Sequence, residues 1–316
     1  MPYILPQENP NGNSICFFSI FSEQINKLEH SGNLRTAETY RAAHRKFFKF
    51  CNCEDIRIDN ITADLMEAYQ ASLRQQNLSM NTVSFYMRIL RTVYNKAVKS
   101  GLAEDQHPFI RVYTGQAKTC KRAISIEDIR KIKEVRLLDR KIAFARDLFL
   151  FSFYTRGMSF VDIAYLQKND IKDGILTYKR HKTGQILSIQ WEPEMQNLVD
   201  QWASAETSPY LLPIIHKQNG KERNQYRHIQ AEVNKHLKVV AKQTGLTQNL
   251  SMYCARHSWA SIARQIHIPT AIISQGMGHT HERTTEIYLK SISSQTIDSA
   301  NRQIISLLQA NRHIRK

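Results

Sequence analysis

The stretch SMYCARHSWASIARQIHIPTAIISQGMGHTHERTTEIYLK, residues 251–290, decides the reading of this chain. It reads as three helical pieces carrying an arginine, a histidine and a tyrosine. Arg256 lies among Cys254, Ala255, Trp259 and Ala260, where a guanidinium is costly unless paired. Gly276-Met277-Gly278 precedes His279, and glycines there let a turn aim the imidazole into a cleft. Tyr288 follows nine residues later. Taken singly, such residues have bland roles: a buried arginine can bridge a carboxylate, a lone histidine is usually on the surface, and a helical tyrosine usually packs in the core.

Upstream, residues 175–178 and 186–189 are short β-prone runs flanking 179–185, which predicts a hairpin with Lys182 at its tip. Before it, an apolar helix is expected over 142–154, followed by Thr155-Arg156-Gly157-Met158-Ser159-Phe160-Val161-Asp162. Ser125-Ile126-Glu127-Asp128 resembles a capping box opening the second half. Pro193 starts a further helix, and a long one is expected over 224–244, closed by Gly245.

The first hundred residues read as four helices. One covers 17–29; the next starts at Thr36 as N-cap, with Tyr40, Phe47, Phe48 and Cys51 inward and Arg41, Arg45 and Lys49 along another side. The third starts after Thr62. The fourth starts after Ser79, with Val83, Met87, Leu90, Tyr94 and Ala97 at alternating spacings of four and three. It carries Arg88, Arg91, Asn95 and Lys99 as a second stripe and stops at Gly101. One such stripe is ordinarily a solvated face, but repetition in a strongly basic chain points to contact with a nucleic-acid backbone. Residues 1–14 are expected to be disordered or extended, 15–103 a helical module, 104–122 an extended basic linker, and 123–316 a second domain. The fold class is mainly α with a small β-hairpin or sheet in the C-terminal domain.

Composition supports this direction. The 316 residues hold 44 Lys plus Arg against 28 Asp plus Glu, a formal charge of +16, and a pI near 9.7. Such a field favours polyanions, nucleic acid first. No apolar run approaches the roughly 20 residues that span a bilayer, and the start lacks a signal-peptide pattern, so a cytoplasmic protein is expected. Cys16, Cys51, Cys53, Cys120 and Cys254 are scattered and odd in number, which reads as reduced thiols rather than a zinc site. No P-loop or two-metal acidic triad is evident, and neither metal nor cofactor is expected.

In order and spacing, the 155–162 motif, His181-Lys182-Thr183-Gly184, Tyr253-Cys254-Ala255-Arg256-His257, and Gly278-His279-Thr280 with Tyr288 together resemble the catalytic domain of the tyrosine recombinase, or phage integrase, family. The upstream module is similar to that family's SAM-like core-binding domain. The resemblance implies a two-domain, C-shaped DNA clamp that recombines DNA at specific sites through a 3′-phosphotyrosyl intermediate. Tyr288 would be the nucleophile, Arg256 and Arg156 the phosphate-binding guanidiniums, Lys182 the acid for the leaving 5′ oxygen, and His279 a phosphate contact or proton-transfer partner. Two positions depart from the family pattern. Ser159 stands three residues before Asp162, where most members have the first arginine, and Tyr253 stands where most have histidine or lysine. Both are read as candidate phosphate contacts, with Asp162 structural and His257 a buttress of Arg256. The implied partners are double-stranded DNA with paired recombination sites, further copies forming a homotetramer on DNA, and host DNA-bending accessory proteins. A helix over 295–308 would dock on a neighbouring copy. In a bacterial cell such a protein would associate with the nucleoid, and the short N-terminal segment favours an invertase or small mobile-element integrase. The rival readings are a type IB topoisomerase-like enzyme, a catalytically impaired DNA-binding regulator and an RNA-binding protein.

Overall fold

A computed structural model describes residues 16–117, 122–279, 281–286 and 301. Residues 1–14, Cys120, Tyr288 and, apart from residue 301, the helix expected over 295–308 therefore lie outside the described residues. The chain divides into two compact units, Met1–Thr119 and Cys120–Lys316. Among the described residues, no helix is long and apolar enough to cross a membrane.

The first unit is built on α1 (Phe17–His30), α2 (Leu34–Phe50), α3 (Ala63–Gln75) and α4 (Met80–Lys99). Thr62 and Ser79 cap α3 and α4, accepting from the amides of Leu65 at 3.3 Å and Thr82 at 3.2 Å; such a cap contributes about 1 kcal/mol. Phe17, Phe21, Phe47 and Tyr69 are buried and meet largely edge to face, as their ring quadrupoles favour, and buried Tyr94 meets Phe109 in the same way. The expected inward set of α4 is buried from Val83 to Ala97. One start is corrected: α2 begins at Leu34, and Thr36 lies inside its first turn. Gly32, at φ +73°, ends α1 so sharply that the α2 ladder already runs from the Ala37 amide to the Asn33 carbonyl.

The segment expected to be an extended linker packs against α3 and α4 as far as Ala117. Phe109 and Val112 are buried in the unit's core. The Tyr94 hydroxyl donates to the Glu104 carbonyl and accepts from the Gln106 amide. Asn81 brackets Ala117, donating to its carbonyl at 3.0 Å and accepting from its amide at 2.8 Å. Two buried apolar side chains and these hydrogen bonds together hold the polar stretch down.

The second unit contains α5 (Ile126–Glu134), α6 (Arg140–Tyr154), α7 (Phe160–Tyr165), the strands β1 (Ile171–Lys172), β2 (Ile175–Lys179) and β3 (Ile186–Gln190), and then α8 (Pro193–Gln201), α9 (Glu222–Gln243), α10 (Met252–Gln265), α11 (Thr270–Gly276) and α12 (Glu282–Glu286). The strands pair antiparallel in the order β1-β2-β3, with Ile175 opposite Gln190 and Lys179 opposite Ile186. The α6 run Leu148-Phe149-Leu150-Phe151 is buried on successive residues. A helix apolar all round must be enclosed, and α6 packs against both α9 and α10.

Candidate active site

Two helix ends and one hairpin build the site. At the end of α6 the Gly157 amide donates to the Ser152 carbonyl at 2.7 Å, while Arg156 adopts φ +60° and Gly157 φ +73°. This is a Schellman closure with arginine where glycine is usual, a left-handed conformation costing about 1–3 kcal/mol. The end of α11 closes the same way. Gly278 sits at φ +65°, and the His279 amide donates to the Ser274 carbonyl at 2.9 Å, which projects His279 off the helix end.

Arg256, on α10, connects the two closures. It is 6% exposed. Its Nη1 donates to the Gly157 carbonyl at 2.7 Å, and its Nη2 donates to the Met277 carbonyl at 2.7 Å and to His279 Nε2 at 2.9 Å. No side chain fits between them: a Cβ on Gly157 would lie 2.6 Å from the Arg256 Cα. Because a guanidinium only donates, His279 Nε2 must accept. The ring proton is therefore on Nδ1, which donates to Thr285 Oγ1 at 2.8 Å. Thr285 is fully buried on α12, three residues before Tyr288 in the chain. Burial, followed by the charges of Arg256, Arg180 and Lys182, pushes the His279 pKa down to about 4. The imidazole is thus neutral at physiological pH.

Lys182 occupies the hairpin turn and is exposed. The turn is closed by the Arg180 amide donating to Gln185 and the Gly184 amide donating to Arg180, both at 2.8 Å. Its base is fixed by Asp162, 4% exposed, whose Oδ1 accepts from the His181 amide at 2.8 Å. Ser159 caps α7, and its hydroxyl donates to Asp162 Oδ2 at 2.6 Å. The serine read as a candidate phosphate contact is thus engaged with Asp162, and Asp162 positions the hairpin. Tyr253 is 48% exposed and stands edge-on to His257, with ring centroids 4.6 Å apart.

The structure adds one residue that the sequence reading passed over. Arg180 is 7% exposed, and its Nη1 donates to the Gly278 carbonyl. The signal was the alternation of β2: Leu176 and Tyr178 are buried while Ile175, Thr177 and Lys179 are not. Arg180 continues the inward face by one more step. Arg156, by contrast, reaches the Ser188 carbonyl of β3 at 3.4 Å.

Of the basic stripes, Arg45, Lys49, Arg88 and Lys99 are exposed, and Arg91 is half-buried. Arg41 pairs with Glu29, and Arg91 donates to Thr114 Oγ1 at 3.2 Å.

Against known proteins, residues 16–112 match the Phage integrase SAM-like domain and residues 126–294 match the Phage integrase family. The chain belongs to the phage integrase family, and with it to the site-specific DNA recombinases of the tyrosine class. It is 22% identical over 241 residues to the tyrosine recombinase XerC of Alcanivorax borkumensis, which covers 73% of this chain and 75% of that one. Its fold is similar to a lambda integrase dimer bound to a COC′ core site, with TM-score 0.69, 14% identity, and coverage of 89% of this chain and all (100%) of that one. It is also similar to XerH bound to a palindromic difH substrate, with TM-score 0.66, 17% identity, and coverage of 90% and 84%.

Proposed function

We propose that this chain cuts and rejoins double-stranded DNA at paired sites through a covalent bond to Tyr288. The observation that carries the reading is the Arg256–His279 pair. A buried guanidinium and a neutral imidazole 2.9 Å apart are held by two helix-end closures, with Lys182 close enough to lower the imidazole's pKa. Such a pocket is arranged for a phosphodiester that gains charge as its phosphorus becomes five-coordinate.

The Tyr288 oxygen bonds to phosphorus, and the bond from phosphorus to the 5′ oxygen breaks. Lys182 gives a proton to that oxygen, and the tyrosine proton leaves to His279 or water. Burial depresses the basicity of His279 first, and the cations around it add to that effect. A bound phosphate places the opposite charge beside the cations and offsets their share. The products are a 3′-phosphotyrosyl bond and a 5′ hydroxyl. Because the phosphodiester's energy is conserved in that bond, a second 5′ hydroxyl can reverse the step without ATP. Arg45, Lys49, Arg88 and Lys99 supply non-specific contacts to the DNA backbone, and four copies act on two sites in the cytoplasm. Arg41 and Arg91 already have partners within their own unit and add less.

The test is a nicked suicide duplex carrying the recombination junction that flanks the chain's own gene. A covalent protein–DNA adduct is expected from the wild type and none from Tyr288→Phe. An adduct persisting in that variant would overturn the nucleophile assignment. Relaxation of plasmids lacking the junction would favour the topoisomerase-like alternative.

A further inference from the structure

We propose that Arg180, and not Arg156, is the second guanidinium that holds the scissile phosphate beside Arg256. The inference rests on the reading of the pocket given under Proposed function and changes one of its members.

The two arginines differ in depth and direction. Arg180 and Arg256 are 7% and 6% exposed, and they hold consecutive carbonyls of one turn: Arg256 that of Met277, Arg180 that of Gly278. The next residue along that turn is His279, so both guanidiniums converge where the imidazole emerges. The approach is close, since a Cβ on Gly278 would lie 2.9 Å from the Arg180 Cδ. Arg180, Arg256 and Lys182 are the cations that act on His279.

Among the described residues, no carboxylate pairs with Arg180. Its hydrogen bond there goes to a neutral carbonyl, so its charge has no ion-pair partner among the described residues and further donors remain for a ligand. A buried cation in that condition calls for an anion. Lys182 lies two residues further along the same hairpin, so one element would deliver both a phosphate clamp and the proton donor.

Arg156 has a different occupation. Its left-handed backbone completes the closure of α6, and its guanidinium reaches the Ser188 carbonyl on β3. Its Cδ would lie 3.7 Å from a Cβ on Gly276 at the end of α11. It braces α6, β3 and α11 together. The position where most relatives carry the first arginine holds Ser159, whose hydroxyl is engaged with Asp162. The clamp has thus moved from the helix turn to the hairpin.

Two measurements on the full chain test this. In the first, the thermal midpoint is followed as inorganic phosphate is added. The midpoint should rise for wild type and Arg156→Gln and stay level for Arg180→Gln, with the phosphate-free midpoint reporting that each variant is folded. In the second, adduct yield is compared on suicide duplexes with an ordinary scissile phosphate or a neutral methylphosphonate, which needs no charge neutralisation. Arg180→Gln should lower the yield about 100- to 1,000-fold on the phosphate and less than about tenfold on the methylphosphonate. Arg156→Gln should change both modestly and alike. A phosphate shift that survives Arg180→Gln, one that disappears in Arg156→Gln, or an equal loss on both substrates in Arg180→Gln would overturn the proposal. If wild type and Tyr288→Phe gave the same adduct, the nucleophile would fall, but the phosphate shift would still decide between the two arginines.

Discussion

Arg45 and Lys49 of the first unit stand in solvent with no acidic partner among the described residues, whereas Arg180 and Arg256 of the second are almost wholly enclosed. The two kinds of cation act by different physics. Exposed charges contribute a field that salt screens within about 10 Å, and moving one by an ångström changes little. Enclosed charges act in a medium where each interaction is stronger, and their worth depends on where they point. The first unit accordingly has apolar and aromatic cores with polar surfaces, while the second places glycines and left-handed turns at the points where backbone must approach a guanidinium. Substitutions in the second unit should therefore cause large, geometry-dependent losses, and those in the first small, salt-dependent ones.

The largest contrast should come from Lys182. Its removal as Lys182→Ala should lower adduct formation about 100- to 10,000-fold, the range for a lost general acid. A 5′-bridging sulfur at the scissile position leaves without protonation, so that substrate should restore the variant to near the wild-type yield. If the sulfur substrate brings no recovery, the lysine is not the acid.

Next comes the closure of α6. Gly157→Ala adds a Cβ 2.6 Å from the Arg256 Cα at a φ of +73°. Overpacking of about 1–3 kcal/mol and left-handed strain of about 1–2 kcal/mol act together there. The thermal midpoint should fall by roughly 5–15 °C, and adduct formation should be lost. Gly278→Ala meets the ends of side chains instead, Leu187 Cδ1 at 2.7 Å and Arg180 Cδ at 2.9 Å. These can shift, so its midpoint should fall less while Arg180 is displaced. Equal midpoints for the two variants would show that the closure at Arg256 is softer than its geometry implies.

A smaller effect concerns pH. The folded His279 pKa of about 4 lies below the unfolded value of about 6.5. Between them the unfolded chain binds the extra proton, so stability contributed by the neutral imidazole is complete above about pH 6.5 and declines as pH falls toward 4. The expected observation is a midpoint that drops over that window in wild type and drops less in His279→Gln. Added inorganic phosphate should lessen the wild-type drop in part, because an anion offsets the three cations that add to the effect of burial on the pKa. A parallel fall in both proteins would place the titration elsewhere.

What could be read beforehand follows the same division. Periodicity and caps gave the helices of the first unit because side-chain burial there follows local spacing, as Val83 through Ala97 show. The α2 start was misplaced at Thr36 because a favourable cap residue lay just inside the helix that Gly32 had already released. In the second unit, spacing and family pattern pointed to Arg256, His279 and Lys182. They could not reveal that carbonyls of Gly157, Met277 and Gly278 hold the guanidiniums, since backbone partners leave no mark in side-chain identity. Arg180 was legible in principle as the continuation of the inward face of β2 by one step beyond Lys179, but an arginine at a strand end is normally solvated. Ser159 was read as a departure from a phosphate-binding pattern, when its local role as the α7 cap is evident from Asp162 three residues on.

The smallest expected effects test the first unit. Each backbone contact that an exposed cation makes releases counterions, so the logarithm of affinity falls with the logarithm of salt by about 0.9 per phosphate engaged. Arg45→Ala and Lys49→Ala should each weaken binding to an arbitrary duplex by roughly three- to tenfold at low salt and reduce that slope by about one. Arg41→Ala should change both less, because its guanidinium is already paired with Glu29 and part of its charge is neutralised. Removing Glu29 should then make Arg41 behave like its neighbours, so that in a Glu29→Gln background Arg41→Ala lowers the slope as Arg45→Ala does. If Arg41→Ala has the same effect with and without Glu29, the pair is open in solution, and the stripe acts as one continuous charged surface rather than as individually committed side chains.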